Sequence, residues 1–188
     1  TGTLDPDATG LLIVLIGRAA KAAEYVVAGK KVYRAGLRLG VTTDTEDTTG
    51  KILTESNDIP EKSRVLEAIA SFKGESLQVP PMYSALKVNG QKLCDLARNG
   101  VTIEREARPV EIISLTAEKI NEREYTLDVK CSKGTYIRTL CADIGDALGC
   151  GAVMSALRRT AACNFSLDDA LTLEELENIK TAVNKDPD

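Results

Sequence analysis

The segment Lys31–Leu39 reads KVYRAGLRL, and its residue types alternate along the chain. Apolar side chains occupy every second position, namely Tyr33, Ala35, Leu37 and Leu39. This period of two is typical of a β-strand that packs one face against a core. The polar residues 40–50 then lead to residues 51–54, which we expect to form an antiparallel pair with the first strand.

Two elements are predicted upstream of this strand. Residues 18–28 are rich in Ala, Lys and Glu, contain no Pro and precede Gly29. Glycine is frequent just after helices, so this segment predicts a short helix. Residues 11–16 read LLIVLI between two glycines, and an apolar run of this length predicts a strand.

Periodic segments continue downstream. Helices are predicted at residues 60–73, 91–99, 134–148 and 171–180. In the last of these helices, Thr172 and Glu175 form a capping box. Strands are predicted at residues 109–115, at 125–131 and within 153–165. The dipeptide Asn89-Gly90 predicts a tight hairpin turn.

These elements predict an α+β fold in which helices flank a mixed, mostly antiparallel sheet. The chain has 188 residues, of which 43% are apolar, enough for one domain with a buried core. We find no internal repeat or linker, and we assign residues 1–180 to a single domain. Residues 181–188 are predicted to be a charged, disordered tail. Because Thr1 lies inside a loop motif, we expect that an N-terminal segment is missing.

The composition limits the possible chemistry. The chain has no His, so Ser-His-Asp and Cys-His catalysis are excluded within it, and catalysis must depend on carboxylates, Lys, Tyr or Arg. Five cysteines without a C-x-x-C pair predict reduced thiols and no metal site. No apolar run reaches the roughly 20 residues of a membrane span, and no leader is visible, so we predict a soluble, cytoplasmic protein.

The formal charge of −4 argues against non-specific nucleic-acid binding, which needs a dominant positive field. Basic residues nevertheless cluster at 30–34, 87–98 and 158–159. A local basic surface that binds a polyanion is therefore still possible.

The N-terminal segment, TGTLDPDATG, places Asp5 before a proline. Pro6 interrupts local helix or strand formation and favours an extended backbone at Asp5, so the carboxylate is held rigidly. An isolated Asp-Pro usually only shapes a turn. We expect the nearby Asp7 to point to solvent, because two carboxylates in one pocket would repel each other.

Three further blocks follow this segment in order. They are Lys31-Val32-Tyr33 with TDTED at 43–47, SKGTYIR at 132–138, and LRR at 157–159. With these four blocks over nearly its whole length, the chain resembles the bacterial tRNA pseudouridine synthases of the B type, which isomerise the T-loop uridine. The resemblance implies a pseudouridine-synthase catalytic domain that needs no cofactor and no metal. It also implies the tRNA T stem-loop as partner, and we expect a monomer.

The resemblance implies roles for individual residues. Asp5 corresponds to the catalytic nucleophile, and Arg138 to the arginine that pairs with its carboxylate. Asp47 matches the acid that closes the T-D-T-x-D block, and we place it in a supporting network with Arg138. A salt-bridged Arg also fixes the plane of a carboxylate.

Other residues are assigned to substrate binding. By resemblance, Tyr33 stacks on the target base, Leu157 packs near the uracil, and Tyr136 forms a further wall of the pocket. Four basic residues are candidates for contacts to RNA phosphates: Lys87, Arg98, Arg158 and Arg159. Such contacts hold the RNA backbone without reading its sequence.

Alternatives stay open at this point. Arg138 can form an ion pair with a purely structural role. Tyr33 can be one of the half-buried aromatic residues that strands commonly carry, and the basic residues can belong to the solvated surface. The chain can also be a non-catalytic RNA-binding or RNA-folding module. A calcium site in the acidic loop 44–50 is disfavoured because the loop lacks the ligand pattern of an EF-hand. For the enzyme, attack at C1′, addition at C6 and proton abstraction at C2′ are all compatible with Asp5.

Overall fold

The computed structural model describes residues 2–88 and 90–183. Its strands are β1 (Thr9–Gly10), β2 (Lys31–Leu39), β3 (Val41–Thr43), β4 (Ile52–Glu55), β5 (Gly74–Gln78), β6 (Lys87–Val88), β7 (Gln91–Lys92), β8 (Arg108–Lys119), β9 (Glu124–Cys131), β10 (Ala152–Ala162) and β11 (Phe165–Ser166). Its α-helices are α1 (Ala23–Ala28), α2 (Lys62–Ser71), α3 (Leu93–Arg98), α4 (Ile137–Leu148) and α5 (Leu173–Val183). Short 3-10 helices occur at Gly17–Ala22 and Leu167–Asp169.

One large sheet organises the described part of the chain. Its strand order is β1-β10-β2-β9-β8-β5, and β11 pairs with a further part of β10. The β1–β10 pair is parallel and the other pairs of this sheet are antiparallel. The predicted α+β class with a mixed, mostly antiparallel sheet is therefore confirmed.

Strand β2 lies at the centre of this sheet, between β9 and β10. Its alternate residues Tyr33, Ala35, Leu37 and Leu39 are buried, as their spacing predicts. Helix α4 covers this face with a second apolar set, Ile137, Leu140, Cys141, Ile144 and Leu148. Burial of the two sets against each other makes β2 and α4 the centre of the core.

Helix α4 approaches β10 closely because one of its residues is glycine. A side-chain carbon at Gly145 would overlap the backbone of Gly151 and Ala152. The helix ends at Gly149, whose φ of 77° is the left-handed conformation that glycine adopts readily at helix ends. The chain therefore returns directly from α4 into the central sheet.

The predicted strand at residues 11–16 is wrong. Pairing to β10 ends with the bond from Leu11 N to Arg159 O (2.8 Å), and the side chains of Leu12, Val14 and Ile16 are 53%, 69% and 82% exposed. The physical reason is that β11 pairs with the next part of β10, at Ala161 and Ala162. A longer β1 would need the same strand edge.

The expected pairing of residues 51–54 with β2 is also wrong. Both edges of β2 are already paired, one with β9 and one with β10. Strand β4 pairs instead with β3, and Thr42 lies opposite Thr54 with their hydroxyls 2.6 Å apart. The sequence pattern marked the strand correctly but not its partner.

Most of the other predicted elements are present. Val65 and Ile69 of α2 are buried, and β8, β9 and β10 cover the predicted strands. Strands β6 and β7 pair across the predicted turn, although Asn89 itself lies outside the described residues.

The C-terminal helix differs from its prediction. The capping box is confirmed, since Thr172 and Glu175 exchange hydrogen bonds. Helix α5 continues to Val183, so residues 181–183 of the predicted tail are helical, and residues 184–188 lie outside the described residues. Within the part of the chain that is described, no helix is long and apolar enough to cross a membrane.

We expect the substitution Leu127→Ala to lower the free energy of unfolding by about 2–5 kcal/mol, because Leu127 of β9 is fully buried in the core. The matched control is Leu53→Ala on β4, where the side chain is 60% exposed and the loss should stay below about 0.5 kcal/mol. Urea unfolding measures both values. Equal losses would contradict the assigned core.

Candidate active site

Asp5 and Arg138 meet although they lie 133 residues apart in the chain. Arg138 Nε donates to Asp5 Oδ2 at 2.8 Å, and Nη2 donates to Asp5 Oδ1 at 2.9 Å. The arginine is 5% exposed, whereas the aspartate is 35% exposed. This two-point pair fixes the plane of the carboxylate while leaving part of it accessible to a ligand.

Arg138 also binds two backbone carbonyls. Its Nη1 donates to Thr45 O at 3.2 Å, and Nη2 also donates to Tyr83 O at 2.8 Å. The residue lies in the first turn of α4, where the helix dipole disfavours a cation. These contacts, with Asp5, offset that cost and bring three distant chain segments to one guanidinium.

Asp47 lies near the same guanidinium. Its Oδ2 is 3.9 Å from Arg138 Nε. Its Oδ1 accepts hydrogen bonds from Thr45 Oγ1 at 2.7 Å and from the backbone N and Oγ1 of Thr49 at 3.0 and 2.6 Å. The threonines therefore orient Asp47, and the structure places it in the predicted network with Arg138.

Glu46 is a residue of this network that the sequence did not reveal. Its backbone has φ 63°, a conformation that non-glycine residues rarely adopt, and its Oε2 accepts a hydrogen bond from Thr139 Oγ1 at 2.6 Å. Burial raises the pKa of Glu46, while the bond from Thr139 and the charge of Arg138 act in the opposite direction. An acid within a run of polar residues otherwise resembles a solvated side chain.

Tyr33 is 8% exposed and lies on the core face of β2. Burial raises the pKa of its hydroxyl, and the charge of Asp5 adds to this effect, whereas the Arg159 side chain opposes it. The phenol is therefore close to both Asp5 and Arg159. Only a small part of the ring is available to a ligand in this structure.

Tyr136 precedes α4 and is partly exposed. Gln78 holds its backbone on both sides: Tyr136 N donates to Gln78 Oε1 at 2.8 Å, and Gln78 Nε2 donates to Tyr136 O at 3.0 Å. Gln78 is buried and was not found by sequence reasoning, because its partner is 58 residues away. Together these bonds fix the start of the helix that carries Arg138.

Leu157 packs partly against the core and borders a surface hollow of about 300 Å³. The hollow is also lined by Asp7, Thr9, Arg34 and Arg158. Asp7 is exposed, as predicted. The hollow thus adjoins the strand that carries Leu157, whereas the Asp5–Arg138 pair lies outside its lining.

Three of the four basic candidates for RNA contacts are exposed: Lys87, Arg98 and Arg158. Arg98 also forms an exposed ion pair with Asp95 at 3.4 Å. Arg159 is the exception, because its side chain is 1% exposed and donates from Nε to Leu11 O at 2.8 Å and from Nη2 to Gly2 O at 3.1 Å. Its assignment to RNA phosphates is therefore wrong, since its donors are used inside the protein.

The acidic loop makes hydrogen bonds within itself. Asp44 Oδ1 accepts from Lys51 N at 2.8 Å, and Asp47 is bound by threonines as described above.

Among the residues that the structure describes, no three His, Cys, Asp or Glu side chains form a group that could hold a metal. The five cysteines are all free thiols, and burial raises the pKa of Cys131 to about 11.

Solved structures share this fold. A chain of a crystal structure of a Cbf5–Nop10–Gar1 complex matches with a TM-score of 0.75 and 29% identity, over 98% of this chain and 46% of that one. A chain of an H/ACA RNP bound to a substrate RNA containing 2′-deoxyuridine matches with a TM-score of 0.70 and 24% identity, over 98% and 44%, which shows the fold alone.

Sequence comparisons identify the family. Residues 1–137 match the TruB family pseudouridylate synthase (N terminal domain), and residues 138–188 match the tRNA pseudouridylate synthase B C-terminal domain. The chain belongs to the TruB family of pseudouridylate synthases.

Curated relatives agree with this membership. The tRNA pseudouridine synthase B of Alkaliphilus oremlandii is 52% identical over 96% of this chain and 60% of that protein, and the protein of the same name from Clostridium kluyveri is 49% identical over 95% and 62%. The chain therefore spans about 60% of the length of these relatives.

We predict that Glu46→Gln changes the pH dependence of stability. Because the pKa of Glu46 is raised in the fold, its favourable contribution is present at low pH and is lost as pH rises through the folded pKa. The amide can still accept the bond from Thr139 but cannot ionise. The unfolding free energy of the variant minus that of the wild type should therefore be greater at about pH 7.5 than at about pH 4.

Urea titrations at several pH values measure this difference, and Glu55→Gln on the exposed strand β4 is the control. A difference for Glu46→Gln that does not vary with pH would contradict the assigned burial of the carboxyl group.

Proposed function

We propose that this protein isomerises the T-loop uridine of tRNA to pseudouridine, with Asp5 as the catalytic residue. The observation that carries this proposal is the two-point pair between Asp5 and Arg138 in a member of the TruB family. Curated relatives about 50% identical are named tRNA pseudouridine synthase B. A carboxylate that is both fixed and partly accessible is suited to act as nucleophile or base.

The reaction rearranges one nucleotide. The C1′–N1 glycosidic bond breaks, the uracil turns, and a C5–C1′ bond forms while C5 loses a proton and N1 gains one, so substrate and product have the same atoms and no net oxidation occurs. Asp5 attacks the substrate or removes a proton from it. Arg138 keeps the carboxylate oriented and provides a positive charge beside it, while Asp47 places a second carboxylate 3.9 Å from the guanidinium.

Substrate binding requires the uridine to leave its stack, which costs a few kcal/mol. Stacking of the base on an aromatic ring contributes about 1–3 kcal/mol of binding free energy, which offsets this cost. Tyr33 is proposed to supply this face, with Leu157 beside the uracil and Tyr136 as a further wall. The small exposed part of Tyr33 means that the base reaches one edge or face of the ring rather than a fully open platform.

The exposed residues Lys87, Arg98 and Arg158 are proposed to bind phosphates of the T stem-loop. Their charges are local, because the whole chain carries −4. Contacts of this kind position the RNA and add affinity that depends on salt.

We assign residues 1–180 to one catalytic domain, although two family models divide the chain at residue 137. The support is that β10, from the C-terminal match, lies between β1 and β2 of the N-terminal match in a single sheet. The monomeric state and the cytoplasmic location stay predictions from the sequence.

Replacement of Asp5 by Asn should abolish pseudouridine formation in a T stem-loop RNA while leaving RNA binding largely unchanged, because the amide cannot act as a carboxylate nucleophile or base. Nucleoside analysis of the RNA measures the pseudouridine that the full-length protein forms, and titration of the protein with the RNA measures binding. The matched control is Asp7→Asn, which changes an exposed carboxylate two residues away. If Asp5→Asn still turns over, the proposal is wrong; equal RNA-folding activity without product in wild type and variant would instead identify an RNA-binding module.

We expect Arg158→Ala to weaken binding of T stem-loop RNA similarly for different stem sequences. If one phosphate contact is lost, the slope of log affinity against log salt should decrease in magnitude by about one. The control is Lys119→Ala, which removes an exposed cation at the end of β8. An unchanged slope in Arg158→Ala would remove this residue from the RNA surface.

A further inference from the structure

We propose that Arg159 is a positioning residue that holds both ends of the turn carrying Asp5 and the hydroxyl of Tyr33 in one arrangement. The inference rests on the proposed function, because it assigns Arg159 to the same site. It replaces the expected contact with RNA by a contact within the protein.

The first support is where the donors of Arg159 are used. Its Nη2 reaches the carbonyl of Gly2 and its Nε the carbonyl of Leu11, so one guanidinium binds the chain before and after Asp5. The backbone adds a third contact, since Leu11 N donates to Arg159 O at 2.8 Å. The turn is therefore closed at its base by a single residue of β10.

The second support is the close fit between the turn and β10. Gly10 pairs with Arg159 in the parallel ladder, with a φ of 104°. A side-chain carbon at Gly10 would overlap the backbone of Arg159. A position this tight leaves little freedom for the turn to move relative to the strand.

The third support is Tyr33. It lies directly opposite Arg159 in the β2–β10 pairing, and its hydroxyl lies near enough to the Arg159 side chain for that side chain to oppose the rise in pKa that burial causes. The residue that binds the two ends of the Asp5 turn is therefore also the neighbour of Tyr33 in the sheet. Arg138 thus binds the carboxylate of Asp5, and Arg159 binds the two ends of the turn that carries it.

The fourth support is electrostatic. Arg159 is 1% exposed, and none of the ion pairs among the described residues includes it. A buried cation that binds neutral acceptors instead of a carboxylate is costly and needs many good hydrogen bonds. Apolar packing would stabilise the site more simply, so the placement of this group favours a role in geometry.

The test is Arg159→Lys in the full-length protein. Lysine keeps the charge but lacks the planar fork that binds several acceptors at once. We expect kcat for a T stem-loop RNA to fall by about 10–100-fold with KM unchanged, because supporting contacts of this kind act on orientation. The matched control is Arg38→Lys, an exposed arginine on β2, which should keep wild-type kcat.

A second readout does not depend on activity. Arg159→Lys should speed amide hydrogen exchange at Ala8 and Leu11, whose N–H groups bond within or below the turn, and leave β9 protected. A double substitution with Tyr33→Phe should lose less activity than the product of the two single losses, because each substitution removes the proposed contact between these two side chains.

Several results would overturn the inference. An Arg159→Lys variant with wild-type kcat and exchange shows that Arg159 does not position the turn. If Arg159→Lys raises only KM and also changes the slope of log affinity against log salt, Arg159 binds RNA instead. If the variant does not fold, Tyr33→Phe is decisive, since wild-type kcat there excludes action through Tyr33. If the wild-type protein forms no pseudouridine, the proposed function itself is wrong. Amide hydrogen exchange at Ala8 and Leu11 then still tests whether Arg159 holds the turn.

Discussion

The guanidinium of Arg138 is the contact on which the site depends. It binds the Asp5 carboxylate in two places, lies 3.9 Å from Asp47 and donates to the carbonyls of Thr45 and Tyr83. Because the side chain is nearly buried, these acceptors cannot be replaced easily by water. Removal of the arginine would leave Asp5 without its partner and two chain segments without their common anchor.

The core explains why Arg138 can hold this position. Helix α4 buries one face against β2 and β10, and Gly145 allows its backbone to approach β10 closely. Gln78 fixes the backbone of Tyr136 just before the helix begins. The arginine therefore extends from a rigid support, which is what precise orientation of a catalytic group requires.

Local patterns predicted local structure well. The alternation in Lys31–Leu39 predicted β2 with its correct bounds, because period and burial are properties of a few neighbouring residues. The pairing partners of strands were not predicted correctly. Whether residues 11–16 and 51–54 pair with the central sheet depends on which strand edges distant segments already occupy. No short window of sequence contains that information.

The site divides in the same way. Asp5, Arg138 and Asp47 were found through motifs, and the structure brings them together. Glu46 was missed because its partner Thr139 is 93 residues away, and Arg159 was misplaced because an arginine pair looks like a charged surface. In strand β10 the two arginines point to opposite faces, so one is exposed and the other is internal.

The parallel pairing of β1 with β10 has a consequence for synthesis. Its two strands are separated by most of the chain, with Thr9 opposite Arg158. During translation the turn that carries Asp5 has no paired strand until β10 has left the ribosome. Assembly of the carboxylate site therefore has to follow the synthesis of β10, and it depends on long-range closure that is intrinsically slow.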